Sequence, residues 1–211
     1  MKPIPDDSFE RAALARGARP VAGVDEAGRG PLAGPVVAAA VILPDGWRLE
    51  GLTDSKLLGR AQRLRCYEAI RAEACVGVGV ASVEEIDRFN ILRASHLAMV
   101  RAIAALADCP GHVLIDGNQI PRDLNLPAEA VVGGDGRCLS IAAASIIAKT
   151  WRDRIMVDLA QQHPGYGWET NAGYPTKSHK RALCDLGVTP HHRRSFRPVH
   201  NILYQDEIVT S

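Results

Sequence analysis

The chain has 211 residues, a length that favours one domain on a prior of roughly 150 residues per domain. Hydrophobic residues make up 46% and charged residues 23%, which excludes a chain that is disordered throughout. The 25 Lys and Arg residues nearly balance the 24 Asp and Glu residues, so a polycation that holds nucleic acid by net charge alone is excluded, whereas a local basic patch is not.

The cysteine pattern and the apolar runs indicate where the protein resides. The five cysteines are widely spaced and no two form a CxxC pair, so neither a zinc knuckle nor a disulfide framework is predicted. The first residues lack the continuous apolar stretch of a secretory signal. The longest apolar run, 36–43, is far shorter than the roughly 20 residues of a membrane helix. We therefore expect a soluble, cytoplasmic protein without membrane contact.

The apolar pattern predicts strands and helices that alternate after an initial pair of strands. The predicted strands are 20–25, 36–43, 75–81, 112–115 and 130–132, and the predicted helices are 60–74, 90–107, 140–162 and 176–186. Ser82 and Glu85 form a capping box, and a short helix around Phe9 is only weakly indicated. Because the first two strands are adjacent, the order favours an α/β fold with a mixed sheet.

Two details of the later chain complete this outline. In the helix 140–162, the spacing predicts one buried stripe, formed by Ala144, Ile147, Trp151, Ile155 and Leu159. The helix 176–186 is the last one predicted, and residues 201–211 are expected to be a polar tail.

Acidic residues follow three of the predicted strands. Asp25 and Glu26 end the first strand, Asp116 ends the fourth and Asp135 follows the fifth. If the first and fourth strands are parallel neighbours, Asp25 and Asp116 emerge side by side. Carboxylates held close repel one another unless a cation neutralises them, and oxygen ligands suit Mg²⁺ or Mn²⁺ rather than zinc. One acidic strand end is more often a solvated turn, but several in one chain favour a metal site.

The neighbours Asp25 and Glu26 raise a geometric difficulty, since adjacent strand residues point to opposite faces. Both cannot face one metal ion from a regular strand. Either the strand breaks at Glu26, or the Glu26 side chain curls round the strand end, which the following Ala27 and Gly28 would permit.

The motif Gly28-Arg29-Gly30 is open to two interpretations. It is either a turn without further function or a place where the backbone approaches a sugar closely. In the second case it could distinguish ribose from deoxyribose, because a 2′-hydroxyl both donates and accepts hydrogen bonds.

The segment VAGVDEAGRGPLAGPV at 21–36 resembles ribonuclease HII, the bacterial type 2 ribonuclease H. Later segments agree with that family in the same order: TDSK at 53–56, IDGN at 115–118, GD at 134–135, AASIIAK at 143–149, GYPTK at 173–177 and HRRSF at 192–196. The resemblance implies a ribonuclease H-like mixed five-stranded sheet flanked by helices. It divides the chain into an N-terminal extension (1–19), a catalytic domain (20–163) and a C-terminal helical substrate-binding extension with a tail (164–211).

The resemblance also implies an activity. The family hydrolyses the RNA strand of RNA–DNA hybrids and incises duplex DNA 5′ of single ribonucleotides, leaving 3′-hydroxyl and 5′-phosphate ends. Asp25, Glu26, Asp116 and Asp135 fall on its catalytic carboxylates, which bind two Mn²⁺ or Mg²⁺ ions. Such chemistry needs no side-chain nucleophile. We accordingly expect the histidines of the C-terminal stretch to be solvated or capping side chains, namely His163, His179, His191, His192 and His200.

Substrate contacts follow from the same resemblance. Gly28, Arg29 and Gly30 match the glycine-arginine-glycine motif of the family, and Tyr174 matches its junction-sensing tyrosine. Further candidate substrate contacts are Lys56, Asn118, Ser145, Lys149 and Lys177. Residues 175–198 contain a single acidic residue and six basic residues: Lys177, Lys180, Arg181, Arg193, Arg194 and Arg197. These basic residues either hold the duplex backbone or form a solvated helix face.

Two other functions compete with this reading. A resolvase or integrase could share the fold and its two metal ions, but it has no need to sense a 2′-hydroxyl. A non-catalytic hybrid-binding module would be expected to lack at least one carboxylate, and all four are present. We expect a monomer whose partner is nucleic acid. The segment 205–208 resembles the start of a sliding-clamp peptide but lacks its terminal aromatic residues, so no clamp binding is predicted.

Overall fold

One five-stranded sheet forms the centre of the computed structural model, which describes residues 4–49, 51–52, 55 and 58–204. The strands are β1 (Val21–Ala27), β2 (Val36–Ile42), β3 (Cys75–Ala81), β4 (His112–Asp116) and β5 (Ala128–Val131). They lie in the order β3-β2-β1-β4-β5. β1 is antiparallel to β2 and parallel to β4, and β5 is parallel to β4. The predicted mixed sheet is confirmed.

Helices cover both faces of the sheet. They are α1 (Ser8–Ala15), α2 (Arg60–Glu73), α3 (Val83–Phe89), α4 (Ile91–Ala104), α5 (Leu139–Gln162), α6 (Trp168–Asn171), α7 (Lys177–Leu186) and α8 (Arg197–Tyr204). The capping box before α3 is confirmed, because the Glu85 backbone N–H donates to Ser82 Oγ at 3.3 Å and the Ser82 backbone N–H donates to Glu85 Oε2 at 2.9 Å.

The two faces of the sheet are packed by different helices. Apolar side chains of α2 and α5 form one core with β2, and those of α3 and α4 form the other. The glycines of β3 make room for α4, since a Cβ atom added at Gly77 or Gly79 would lie 2.1 Å from a backbone oxygen of that helix. The Val-Gly alternation of β3 therefore lets α4 pack directly on the strand backbone.

A separate apolar cluster holds α6, α7 and α8 against the second half of α5. Its buried side chains include Trp168 and Leu183. His179 and His192 are fully buried in this region, so the expectation of solvated or capping histidines is wrong for both. Trp168 Nε1 donates to His179 Nε2 at 3.0 Å, and His179 Nε2 lies 3.2 Å from His192 Nε2. Burial lowers the pKa of His192 to about 3 and keeps the ring neutral.

The sequence predicted no helix at the residues of α8. The last turn of this helix lies where a polar tail was expected. The packing of Val199 and Ile202 on the C-terminal cluster holds this short helix. Its formation thus depends on a tertiary contact, because so short a segment has little helical stability of its own.

The buried stripe of α5 also differs from the prediction. In the second half of the helix the deeply buried residues are Ala148, Arg152 and Met156, whereas Trp151 and Ile155 are only half-buried. The C-terminal cluster covers this neighbouring stripe, and a charged residue within it disguised its burial. In the part of the chain that the structure describes, no helix is long and apolar enough to span a membrane.

Candidate active site

The acidic residues predicted at strand ends meet at one edge of the sheet. Val24 pairs with Ile115 in the parallel ladder, so Asp25 and Asp116 stand one position further along neighbouring strands. The Gly134 backbone N–H donates to Asp116 Oδ1 at 2.7 Å, which ties the 3₁₀ turn carrying Asp135 to the end of β4. We refer to Asp25, Glu26, Asp116 and Asp135 as the acidic edge.

Asp25 is the buried member of the acidic edge, with 4% of its surface exposed. The Glu26 backbone N–H donates to Asp25 Oδ1 at 2.7 Å. The Ser145 hydroxyl also hydrogen-bonds to this carboxyl group and lies 2.9 Å from the hydroxyl of Ser55. Burial, followed by the charges of Glu26 and Asp116, raises the pKa of Asp25 well above its usual range. A buried carboxylate beside two other acidic residues favours the binding of a cation.

Glu26 approaches the same edge from the other face of the sheet. β1 continues through Glu26 to Ala27, and Glu26 pairs with Ala38 on β2, so the alternative in which the strand breaks at Glu26 is wrong. Burial raises the pKa of Glu26, and the charge of Asp116 adds to this effect although Arg29 opposes it. The charge of Asp116 raises the pKa of both Asp25 and Glu26. These two side chains therefore belong to one electrostatic site, although they point to opposite faces of the sheet.

The donor chemistry of the acidic edge fits a divalent cation. It offers carboxylate oxygens without nitrogen or sulfur, and Mg²⁺ and Mn²⁺ prefer such ligands. Burial and then the charge of neighbouring carboxylates raise the pKa values of Asp25 and Glu26, and a bound cation would stabilise the ionised form of both. Within the described residues, no three Asp, Glu, His or Cys side chains are already gathered as ligands around one point. The fit therefore rests on charge and donor type rather than on a preformed ligand cage.

A loop at 28–35, which we call the glycine loop, follows β1 and lies beside Tyr174. Gly28 is buried with a φ of 102°, where side chains are strained, and a Cβ atom there would lie 2.1 Å from Arg152 Nε. Gly30 is exposed, and a Cβ atom there would meet only the Tyr174 ring among the described residues, at 3.5 Å. Tyr174 is 42% exposed. The structure thus brings the glycine-arginine-glycine motif and Tyr174 together at the surface.

Two further predicted contacts lie next to these groups. Ser145 is buried and holds Asp25, so it supports the acidic edge from within the fold. Lys149 Nζ donates to Asp153 Oδ1 at 2.7 Å and stands 6.0 Å from the centre of the Tyr174 ring. A cation at that position lies within reach of a phosphate that approaches Tyr174.

The remaining predicted contacts lie at the surface or outside the described residues. Asn118 is exposed after β4, and Lys177 is exposed at the start of α7. Arg29 is half-exposed and donates to Glu26 Oε1 at 3.3 Å. Lys56 lies outside the described residues, as does the segment 205–208.

Two buried arginines hold the glycine loop, a role that the sequence did not predict. Arg193 was assigned to the basic surface but is fully buried, so that assignment is wrong. Its guanidinium donates to the backbone carbonyls of Gly28, Arg29, Gly34 and Pro35. Arg152 donates to the carbonyls of Ala33, Pro35 and Ala172. The other basic residues of the assigned surface are exposed: Lys177, Lys180, Arg181, Arg194 and Arg197.

The backbone around Tyr174 is fixed from two directions. His179 Nδ1 lies 2.9 Å from the Tyr174 carbonyl oxygen. Because Trp168 donates to His179 Nε2, the neutral ring carries its proton on Nδ1 and donates it to Tyr174. On the other side, the Leu32 backbone N–H donates to the Gly173 carbonyl at 2.8 Å. The Tyr174 segment is thereby joined to both the C-terminal cluster and the glycine loop.

The mixed sheet with carboxylates at the ends of β1 and β4 has the arrangement of a ribonuclease H-like fold. Among solved structures, the chain is similar to the ribonuclease H2 from Pyrococcus horikoshii OT3. The two share a TM-score of 0.72 and 26% sequence identity, over 90% of this chain and 99% of that one.

Sequence comparison identifies the family within this fold class. A family model described as Ribonuclease HII matches residues 22–199. The Ribonuclease HII of Paracoccus denitrificans is 69% identical over 206 residues, which cover 98% of both chains. That of Ruegeria pomeroyi is 67% identical over 202 residues, which cover 96% of this chain and 86% of the relative. The chain belongs to the ribonuclease HII family and is a metal-dependent endonuclease that cleaves RNA in RNA–DNA hybrids.

Proposed function

We propose that this enzyme also incises duplex DNA on the 5′ side of a single embedded ribonucleotide. The observation that carries the proposal is the contact between the glycine loop and Tyr174, where a Cβ on Gly30 would lie 3.5 Å from the ring. The bare Gly30 leaves room for a ribose against the backbone. The exposed Tyr174 ring offers an apolar surface to the next sugar. Two such surfaces side by side detect a ribonucleotide that is followed by DNA.

In this proposal, the acidic edge holds two divalent cations, either Mg²⁺ or Mn²⁺. When bound, these ions activate a water molecule and stabilise the leaving oxygen of the phosphodiester. Ser145 and the Glu26 backbone N–H keep the Asp25 carboxylate in one orientation, and Glu26 reaches the site from the opposite face. Hydrolysis by water leaves 3′-hydroxyl and 5′-phosphate ends.

The metal requirement and the identity of the ends are tested together. Excess chelator is expected to stop cleavage, and added Mg²⁺ or Mn²⁺ is expected to restore it. End-labelled products are then compared with size markers that carry each type of end. Activity that persists in chelator, or a 2′,3′-cyclic phosphate product, would contradict water-mediated metal catalysis.

The C-terminal extension supplies the surface for the duplex in this proposal. Residues 20–163 carry the acidic edge, while 164–211 carry Tyr174 and the exposed basic residues of α7 and the segment after it. Lys149 adds a phosphate contact next to Tyr174. All of these groups belong to one chain, so the proposed activity requires no second copy, and we propose that the enzyme acts as a monomer.

The junction preference is tested with Tyr174→Ala and its matched control Tyr174→Phe. The substrates are a DNA duplex with one ribonucleotide, a continuous RNA–DNA hybrid and plain duplex DNA. Loss of a stacking contact worth roughly 1–3 kcal/mol should lower cleavage of the single-ribonucleotide duplex about 10-fold in Tyr174→Ala. Cleavage of the hybrid should fall less, because most of its scissile positions have no junction. Tyr174→Phe keeps the ring and should behave like wild type.

Two results would overturn the proposal. One is a wild-type enzyme that cleaves the hybrid but leaves the single-ribonucleotide duplex intact. The other is an unchanged ratio of the two cleavage efficiencies in Tyr174→Ala, which would leave Tyr174 an ordinary loop residue.

A further inference from the structure

We propose that Arg152 and Arg193, which we call the arginine clamp, are positioning residues that set the spacing between the glycine loop and Tyr174. The inference rests on the proposed function, because it assigns a role to that spacing. The hydrogen bonds of both guanidinium groups go to backbone carbonyls, so the clamp acts through the backbone that carries Gly30 and Tyr174.

Arg193 binds the part of the glycine loop that carries the motif. Its guanidinium donates to the Gly28 carbonyl at 2.6 Å and to the Arg29 carbonyl at 3.0 Å. It also donates to the carbonyls of Gly34 at 2.9 Å and Pro35 at 3.2 Å. One planar group therefore fastens both ends of the loop, which only an arginine with its five fixed N–H donors can do.

Arg152 connects the same loop to the Tyr174 segment. Its Nε donates to the Pro35 carbonyl at 3.0 Å, and its terminal nitrogens donate to Ala33 at 3.1 Å and to Ala172 at 3.0 Å. Ala172 stands two positions before Tyr174 in the chain. Because both arginines donate to the Pro35 carbonyl, a continuous set of hydrogen bonds runs from Gly28 to the Tyr174 segment.

The loops on both sides of the clamp are irregular, and a backbone hydrogen bond from the Leu32 N–H to the Gly173 carbonyl joins them beside the clamp. Gly28, Gly34 and Gly173 have φ values of 102°, 83° and 81°, and Ala172 has a φ of 48°, so the backbone is irregular on both sides. The carbonyls of such segments lie outside the strand ladders. Burying a carbonyl oxygen without a hydrogen-bond donor would be costly. The clamp satisfies them and at the same time fixes their relative positions.

The buried charge of the arginine clamp indicates that the clamp fixes the geometry of the loops and does not only stabilise the fold. Both side chains are essentially fully buried, and no ion pair found among the described residues includes either of them. Two buried cations near each other are costly, and apolar side chains of similar volume often stabilise a fold as well or better. Apolar side chains could not, however, bind carbonyls from three separate segments.

The experiment compares Arg152→Lys with Arg154→Lys, a matched control on the same helix. Arg154 is exposed and donates to the Tyr67 hydroxyl, away from the glycine loop. Lysine keeps the charge of Arg152 but cannot span the carbonyls of Ala33, Pro35 and Ala172 together. Cleavage is measured well below the melting temperature of each variant, as kcat and KM on the hybrid and on the single-ribonucleotide duplex.

We expect Arg152→Lys to lower the preference for the single-ribonucleotide duplex by no more than Tyr174→Ala does, at most about 10-fold, because Arg152 acts through Tyr174. Cleavage of the hybrid should fall less, and Arg154→Lys should match wild type on both substrates. Arg193→Lys should lower kcat on both substrates, because Arg193 holds Gly28 and Arg29 themselves.

A double variant separates positioning from general damage. If Arg152 acts through Tyr174, then adding Arg152→Lys to Tyr174→Ala should leave the substrate ratio of Tyr174→Ala unchanged, because the two effects are not independent. Additive losses in the double variant would overturn the proposal. A normal ratio in folded Arg152→Lys, alongside an altered ratio in Tyr174→Ala, would overturn it while leaving the proposed function intact.

A folding defect is handled with a second variant, Arg152→Gln, which keeps two N–H donors and removes the buried charge. If it folds, it is expected to show the same altered ratio as the lysine variant. If neither variant folds, Arg152 is a structural residue and the proposal fails. An unchanged ratio in Tyr174→Ala itself refutes the proposed function, independently of the clamp.

Discussion

The acidic edge and the arginine clamp are adjacent regions of opposite charge and opposite construction. Asp25, Glu26 and Asp116 stand on regular strands whose ladders hold the backbone, and Asp135 stands on the adjoining 3₁₀ turn. The clamp holds irregular loops whose carbonyls depend on it. Burial raises the pKa of Asp25 and lowers that of Arg193 to about 9, so each region carries charge at a cost. The Asp25 carboxylate accepts a hydrogen bond from within its own strand, whereas Arg193 donates to the carbonyls of a loop that is distant in sequence.

The largest effect is expected at the acidic edge. Asp25→Asn and Asp116→Asn should abolish cleavage of both substrates, because each removes a carboxylate from the site that binds the cation. In metal-free protein, the melting temperature of Asp25→Asn should be equal to or higher than that of wild type, since a buried charge among like charges is removed. Cleavage assays and thermal melts with chelator check both parts. A large fall in melting temperature would instead make Asp25 a structural residue.

A smaller loss is expected for Asp135→Asn. Asp135 lies on the 3₁₀ turn after β5, whereas Asp25 and Asp116 lie on strands. A residue that supports a metal site from its periphery typically contributes about 10–100-fold. Turnover at saturating Mg²⁺ or Mn²⁺ measures this contribution. Activity equal to that of wild type would remove Asp135 from the acidic edge.

Gly28 and Gly30 differ in their contact with the arginine clamp. Among the described residues, Gly28 lies against both arginines, whereas Gly30 lies beside Tyr174. Gly30→Ala adds a methyl group that, among the residues that the structure describes, meets the Tyr174 ring alone, at 3.5 Å, so the melting temperature should be unchanged while both substrates are cleaved poorly. Gly28→Ala places its methyl group 2.1 Å from Arg152 Nε at a φ of 102°, so stability should fall as well. Equal melting temperatures for the two variants would contradict this division.

The smallest effect is the change in stability with pH. We expect it to have opposite signs for His192 and for Asp25. The pKa of His192 is about 3 in the fold and about 6.5 when unfolded, so the unfolded chain binds the extra proton between these values. Stability should therefore fall as pH decreases from about 6.5, by at most about 1.4 kcal/mol per pH unit for one histidine. The raised pKa of Asp25 acts the other way, because the folded state takes up a proton first as pH falls.

Metal-free melts of wild type, Asp25→Asn and His192→Asn between pH 7 and pH 5 separate these contributions. Asp25→Asn should lose stability more steeply toward acid than wild type, and His192→Asn less steeply. Parallel slopes in all three proteins would refute the opposed contributions.

Local sequence patterns determined the sheet and the residues at its edge. Apolar runs bounded by glycine and proline marked β1, β2 and β4, and acids directly after such runs marked the ends of parallel strands. The long glycine-rich match added the family, which the comparisons confirm. These features are readable because each depends on neighbouring residues and on the fixed period of a strand or helix.

Only the tertiary structure decided which charged and polar side chains are buried. Arg152 falls between Ala148 and Met156 at helical spacing, a signal of burial that its charge concealed. Arg193 was predicted to hold the duplex backbone or lie on a solvated face, and His179 and His192 were predicted to be solvated or capping, but all three lie inside. The physical reason is that a buried arginine or histidine needs acceptors and donors from distant parts of the chain, and Gly28 lies 165 residues from Arg193. Such partners are set by how elements pack, which no local pattern records.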